Sequence, residues 1–219
     1  MAKKAQSTLV NMLLSLTAIA LVAAAALAAM NAVTEEPIQI AKENKVKKAI
    51  ENVLKQKDKD GKVLDSIQYE TENMKDTVVY IGEKNAEGKY TDSAVLHLAY
   101  AAGEYVGAAV ETLDPNGFGG VLRVMVGFDK DGNVYGYSIL ESSETPGLGA
   151  EADNHFQKGK GGDIIGKSPA TEPQAELRVT KDTRGGGTVD AITGSTITSK
   201  AFLRCVNKAY TNLQTVLNN

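Results

Sequence analysis

The chain has 219 residues, of which 42% are hydrophobic, and its net charge at pH 7 is −3. This length can build one good hydrophobic core beyond any targeting segment, whereas two independent domains would each be thin. Because lysine and arginine alternate with aspartate and glutamate instead of forming a basic stripe, nucleic acid is not expected as a partner.

A single cysteine, Cys205, and two histidines, His97 and His155, limit the cofactors that this chain can hold. These residues cannot assemble a cysteine-ligated iron–sulfur cluster, a C-x-x-C-H haem site or a His/Cys zinc site, and an intramolecular disulfide is impossible. No metal site is expected. Any redox cofactor would therefore be an organic one, with flavins and nicotinamides as the leading candidates.

The N-terminal segment is predicted to be a membrane anchor. Residues 9–33 carry no charged side chain, and a bilayer-spanning helix needs about 20 apolar residues. Two lysines precede the stretch and two glutamates follow it, which places the N-terminus in the cytoplasm. A cleaved secretory signal is the alternative, because residues 23–29 offer small-residue cleavage sites, but the apolar run exceeds the usual core of about 7–15 residues. We expect residues 1–34 to form the tail and retained single-pass anchor.

The rest of the chain is predicted to lie outside the cytoplasm, at the cell inner membrane. Apolar residues recur at helical spacing over residues 40–57, which indicates an amphipathic helix. We therefore assign residues 35–60 to a linker helix, ending in the charged run 57–61, and residues 61–219 to one folded extracytoplasmic domain.

Within that domain the pattern indicates short strands and one long helix. Strands are predicted at residues 62–69, 77–83, 94–100, 105–112, 121–128 and 134–140, with a turn at 85–88. Asp131-Gly132 indicates a tight hairpin between the last two strands. Glycine-rich loops at 144–166 and 183–187 are too long to be mere connectors. An amphipathic helix over 198–217 closes the chain. The fold class is α+β, with a twisted, largely antiparallel sheet and packed helices.

A hydroxyl-rich turn leads into the last helix. A phosphate placed at Thr196 would meet free backbone amides and the positive end of the helix dipole, and Gly194 would let the backbone come close. The alternative is that the neighbouring hydroxyl residues only cap the helix and form turns, as such residues do before most helices. These residues are Thr193, Ser195, Thr198 and Ser199.

The same segment, Asp190-Ala191-Ile192-Thr193-Gly194-Ser195-Thr196, resembles the flavinylation motif D-x-x-[S/T]-G-A-T of FMN-binding domains. The resemblance implies that a separate flavin transferase, with FAD as donor, attaches FMN covalently to Thr196 through a phosphodiester bond. Ser195 stands where the motif has alanine and adds a rival hydroxyl. Asp190 is implied to position the acceptor or the metal-bound donor, unless it only caps the turn.

A second segment, Glu144-Thr145-Pro146-Gly147-Leu148-Gly149, is similar to a loop of the same family, found in the G-type protein of the Rnf complex and in the C-type protein of the Na⁺-translocating NADH:quinone reductase. The resemblance implies that the backbone of this loop faces the isoalloxazine ring and that Leu148 packs on the ring. The alternative is a simple turn that ends the hairpin.

Other residues have weaker indications. Arg184 with glycines 185–187 would flank the phosphate or form an ordinary loop, and Lys200 would neutralise the phosphate or be solvated. Cys205 is expected to be a buried, unreactive apolar residue. His97 is expected to face solvent, and His155 has no assigned role.

The resemblance implies an electron-relay subunit of a membrane-bound, ion-translocating ferredoxin:NAD oxidoreductase of the Rnf type, with the other subunits of that complex as partners. A covalent bond would retain the flavin outside the cytoplasm, where no FMN pool exists. No catalytic residues are expected, because the chain has neither a dinucleotide-binding fingerprint nor a nucleophile–base pair. The alternatives are a membrane-tethered binding or assembly module without flavin, and a flavinylated domain of another extracytoplasmic reductase, such as the Na⁺-translocating quinone reductase.

Overall fold

The computed structural model describes residues 9–57, 62–70, 74–84, 90–172, 175–180 and 188–218. The chain divides into two compact units, Met1–Lys45 and Val46–Asn219. The turn predicted at 85–88, residues 58–61 of the predicted charged run 57–61, and Arg184 with glycines 185–187 lie outside the described residues.

Helix α1 begins at Leu9 and ends at Val53. An 18-residue window of this helix has a mean hydropathy of 2.4, and none of the window is buried. Large apolar side chains from Leu9 to Val33 are exposed. By length and composition this is the one helix in the described residues able to cross a membrane, as the sequence predicted.

The end of α1 differs from the prediction. The amphipathic pattern indicated helix as far as residue 57, but the helix ends at Val53, and strand β1, Lys55–Lys57, follows it. Strand β1 pairs antiparallel with strand β2, Val63–Ser66. Pairing with the nearby strand β2 satisfies backbone groups of these three lysine and glutamine residues and overrides their helical preference.

Five strands form one antiparallel sheet in which each strand pairs with the next along the chain, in the order β3-β4-β5-β6-β7. Their bounds are Lys75–Lys84, Tyr90–Ala101, Glu104–Asp114, Leu122–Asp129 and Val134–Glu141. The predicted hairpin joins β6 to β7, where Gly132 has a φ of +80° and the Asp129 side chain accepts hydrogen bonds from the backbone of Asp131 and Asn133. The α+β class with an antiparallel sheet is confirmed.

Helix α3, Thr196–Leu217, covers one face of the sheet. Its buried residues include Phe202, whose ring stacks on Phe156 with 4.3 Å between the ring centres. The predicted C-terminal helix is confirmed, although it begins at Thr196 and not at residue 198. The motif threonine is therefore the first residue of the helix.

The other face of the sheet packs against the last turns of α1. Ile50 and Val53 lie against Met125 in a second apolar cluster. Gly127 and Gly136 are paired across β6 and β7, and a Cβ atom on either would overlap the backbone of Val53. Glycine at both positions lets the end of α1 approach the sheet closely.

Candidate flavin site

The loop after β7 is folded back on itself. The backbone N–H groups of Leu148 and Ala150 both donate to the carbonyl of Thr145, at 3.1 Å each. Gly147 has a φ of +73°, a conformation that favours glycine. The loop then continues into a 3₁₀ turn, Gly149–Glu151, and the four-residue helix α2, Ala152–His155. The glycines and proline of this motif thus shape a compact turn and not an open connector.

The turn before α3 is closed by Ser199. The Ser199 hydroxyl donates to the carbonyl of Ser195 at 2.9 Å and accepts from the N–H of Ile192 at 3.0 Å. Ser195 occupies the N-cap position but makes no side-chain cap hydrogen bond. Gly194 has a φ of +76°, so the predicted positive-φ turn is present. The side chain of Ser195 therefore does not cap the helix, and Ser199, inside the helix, holds the preceding turn together.

One cavity of about 400 Å³ brings the two sequence motifs together. This volume lies within the range of small-molecule sites. Its wall combines residues from three segments: the turn at 117–120, the loop after β7, and the turn before α3 together with the first turn of that helix. The lining residues are Phe118, Glu144, Thr145, Leu148, Gly149, Gly194, Ser195, Thr196, Ile197 and Thr198. Four predicted site residues, Pro146, Gly147, Asp190 and Thr193, are not part of this wall.

Glu144 is the buried charged residue of the cavity, with only 8% of its surface exposed. Its Oε2 atom accepts a hydrogen bond from Thr198 Oγ1 at 2.8 Å, whereas Oε1 is buried with no hydrogen-bond partner among the described residues. A Cβ atom on Gly117 would lie 2.6 Å from Oε1, and one on Gly149 would lie 2.5 Å from Oε2. Two glycines therefore leave room for this carboxylate, and its free oxygen suits a ligand that carries a donor.

The hydroxyls of Ser195 and Thr196, which the sequence offers as alternative sites of flavin attachment, differ in exposure. Ser195 is 8% exposed, whereas Thr196 is only half-buried. Both line the cavity, but Thr196 also stands at the N-terminus of α3, where backbone N–H groups are free to bind an anion. Accessibility and the helix end both favour Thr196.

Asp190 lies at the start of the motif and does not line the cavity. Its carboxylate accepts a hydrogen bond from Thr180 Oγ1 at 3.0 Å, and its backbone carbonyl lies 2.9 Å from His155 Nε2. His155, to which the sequence assigned no role, thus links α2 to the beginning of the motif. This contact joins the segment that follows the Glu144 loop to the segment that precedes α3.

Phe118 and Ile197 were not identified from the sequence. Phe118 is 70% exposed and lies in a turn in which Gly117 and Gly120 exchange backbone hydrogen bonds at 3.0 and 3.3 Å. Ile197 is 53% exposed in the first turn of α3. Both are large exposed apolar side chains in the cavity wall. The glycine-rich segment 117–120 was the signal that would have revealed Phe118.

Three remaining predictions can be compared with the structure. Cys205 is buried, as expected. His97 does not face solvent: it is 6% exposed, and its Nδ1 atom lies 2.6 Å from Asp76 Oδ1. The alternation of apolar residues correctly placed His97 on a strand. Its side chain lies on the face of the sheet opposite α3, and that face is also covered. Lys200 lines a different cavity, with Arg178 and Arg204, and not the one described above.

Residues 117–211 match the FMN-binding domain family, a range that begins at the Phe118 turn and ends within α3. Over this range the chain is similar to FMN-binding domains. The match includes every residue that lines the cavity. The family resemblance drawn from the two motifs is confirmed.

Similar proteins carry names of oxidoreductase subunits. The G subunit of an ion-translocating oxidoreductase complex of Yersinia pestis is 37% identical over 140 residues, covering 58% of this chain and 62% of that protein. The protein of the same name from Aliivibrio fischeri is 34% identical, covering 60% of each chain. The G subunit of a Na(+)-translocating ferredoxin:NAD(+) oxidoreductase complex of Acetobacterium woodii is 38% identical, covering 54% and 56%. The chain spans about three-fifths of the length of these relatives.

Proposed function

We propose that this protein is an electron-relay subunit of a membrane-bound, ion-translocating ferredoxin:NAD oxidoreductase of the Rnf type, with FMN attached covalently to Thr196. The observation that carries the proposal is the cavity lined by both motifs, although residues 144–149 and 190–196 are far apart in the sequence. The names of the relatives support the kind of complex.

The residues of the cavity fit a flavin. Thr196 offers an accessible hydroxyl at a helix N-terminus, which favours a phosphate. Leu148, Ile197 and Phe118 offer apolar surface for a flat ring, and Glu144 offers a buried acceptor. The bound FMN would supply reversible uptake and release of electrons. The chain itself would bind the cofactor, orient it and keep it from being lost.

The proposal includes a topology and partners. The apolar part of α1 would anchor the chain in the cell inner membrane with the N-terminus in the cytoplasm, and the FMN-binding domain would lie on the extracytoplasmic side. A flavin transferase would act on the domain there. The other subunits of the complex would deliver electrons to the flavin and accept them from it.

Intact-mass measurement tests the covalent flavin. The full chain is produced with and without an active flavin transferase, alongside Thr196→Ala and Ser195→Ala. We expect a gain of one FMN less one water in the wild type and in Ser195→Ala, which restores the alanine of the motif. Thr196→Ala should show no gain.

Other outcomes would change the assignment. An adduct that persists in Thr196→Ala and is lost in Ser195→Ala would move the acceptor to Ser195. No adduct in any chain, with the transferase active on a control substrate, would leave a membrane-tethered binding module without flavin. For the relay itself, membranes containing Thr196→Ala should retain the assembled complex but lose ferredoxin-dependent NAD reduction.

A further inference from the structure

Glu144 has one oxygen in use and one unused, although both are enclosed by protein. Thr198 Oγ1 donates to Oε2 at 2.8 Å, and Oε1 has no partner in the part of the chain that the structure describes. A buried carboxylate oxygen without a hydrogen bond costs free energy, and such groups concentrate where a ligand supplies the missing partner. The residue lines the cavity, so the missing donor would come from its occupant.

The packing around the carboxylate holds it in place. Gly117 and Gly149 approach it so closely that a Cβ atom on either would lie 2.6 Å or 2.5 Å from one of its oxygens. The hydrogen bond from Thr198 fixes the other end of the group to the first turn of α3. The carboxylate therefore has little freedom to turn Oε1 toward a different protein donor.

On the basis of the proposed function, we propose that Glu144 Oε1 accepts a hydrogen bond from a donor of the bound flavin and thereby fixes the direction in which the ring enters the cavity. A flavin has two sources of such a donor: the single N–H of its pyrimidine ring, and the hydroxyl groups of its ribityl chain. A carboxylate recognises either, since each offers an N–H or an O–H.

The contact has an electrostatic consequence. A buried carboxylate held beside the ring disfavours the negative charge that reduction adds. Glu144 would then lower the reduction potential of the flavin as well as orient it. Glu144→Gln keeps the size of the side chain and an oxygen that accepts from Thr198, but removes the charge.

The test uses the full chain flavinylated with ¹⁵N-labelled FMN, as wild type, Glu144→Gln and Glu151→Gln. Glu151 is an exposed carboxylate just after the same loop and is not in the cavity wall, so it controls for a change of net charge. Mass spectrometry first establishes that each chain carries the flavin, which tests the proposed function separately. The flavin reduction potential, the ring N–H resonance and the unfolding midpoint are then measured on each.

We expect Glu144→Gln to raise the reduction potential and to shift the ring N–H resonance, with an unfolding midpoint close to that of the wild type. Glu151→Gln should leave the potential and the resonance near their wild-type values. A raised potential with an unshifted ring N–H would assign the donor to the ribityl chain and support the contact. A flavinylated Glu144→Gln chain whose potential and N–H resonance both match the wild type would overturn the proposal.

Discussion

Arg204 and Asp114 join the last helix to the middle of the sheet. Arg204 Nε donates to Asp114 Oδ2 at 2.6 Å, and Arg204 Nη2 donates to Oδ1 at 3.0 Å, so the guanidinium binds the carboxylate through both of its oxygens. Arg204 also reaches the carbonyl of Asn116, just before the Phe118 turn. This pair therefore connects α3 to the segment that supplies one side of the cavity.

Replacing Arg204 by alanine should destabilise the domain. Asp114 is 7% exposed, and it would be left without its main partner. The loss of a charged hydrogen-bonded partner of a buried group costs about 1–3 kcal/mol. Urea unfolding would measure this loss in the free energy of unfolding of Arg204→Ala. Lys200→Ala, a change on the same helix that leaves the pair intact, is the control. Equal free energies of unfolding for Arg204→Ala and the wild type would contradict the assignment.

The same pair predicts a loss of stability in acid. Burial alone would raise the pKa of Asp114, but hydrogen bonds from Arg204 and from the backbone of Asn116 outweigh it, and the pKa is lowered. A carboxyl whose pKa is lowered by folding adds stability above its unfolded pKa, and this contribution is lost as the pH falls toward the folded value. Unfolding free energies measured from pH 6 downward should fall more steeply for the wild type than for Asp114→Asn. Parallel curves would rule out this contribution.

Gly127→Ala should weaken the packing of the end of α1 on the sheet. The added Cβ would overlap the carbonyl oxygen of Val53, which is backbone and cannot rotate away. Overpacking of this kind costs about 1–3 kcal/mol. Gly161→Ala is the matched control, because its Cβ would meet only the edge of the His155 ring, at 3.3 Å. Thermal unfolding of both variants should show a large decrease in Tm for Gly127→Ala alone.

Gly194→Ala should slow the attachment of FMN. Gly194 has a φ of +76°, and the left-handed conformation costs an alanine about 1–2 kcal/mol. A Cβ there would make only an ordinary contact with Leu148 Cδ2 at 3.4 Å, so strain and not crowding is the expected cause. Asparagine tolerates this conformation better. Initial rates of flavinylation should therefore rank wild type, then Gly194→Asn, then Gly194→Ala. An alanine variant as fast as the wild type would exclude a need for this turn.

Cys205 should be unreactive in the folded protein. Burial raises the pKa of its thiol to about 12, so almost no thiolate exists at neutral pH, and the side chain is enclosed by the core. Incubation with iodoacetamide at pH 8 should leave the native mass unchanged, whereas the chain in urea should gain one adduct. Modification of the native chain at the rate seen in urea would contradict the burial.

The sequence predicted the parts of the fold that depend on local patterns. Asp131-Gly132 indicated the hairpin because few residues accept its turn conformation, and the apolar spacing of α3 indicated a helix with one buried face. The predicted end of α1 was wrong because residues 55–57 pair with residues that come later in the chain. The spacing of apolar residues carries no information about such pairing. His97 was predicted to be exposed but is buried, because the alternation of apolar residues cannot show that both faces of a sheet are covered.

Within the site, the motifs identified the residues that carry a recognisable pattern. They identified Thr196 and the loop of Glu144, but not Phe118 or Ile197, whose place in the cavity arises only when three separate segments meet. The sequence also could not predict that one oxygen of Glu144 lacks a partner. This depends on Thr198 binding the other oxygen and on the close approach of two glycines from different loops.

The five-stranded sheet pairs every strand with its neighbour along the chain, so it can form one hairpin at a time. Helix α3, with 22 residues, follows these strands in the chain and docks after them. Until it docks, part of one face of the sheet is uncovered, and the part of the cavity wall that holds Thr196 is not in place. Under the proposed function, a chain that carries flavin therefore has α3 docked on its sheet, and the cofactor would mark a folded domain.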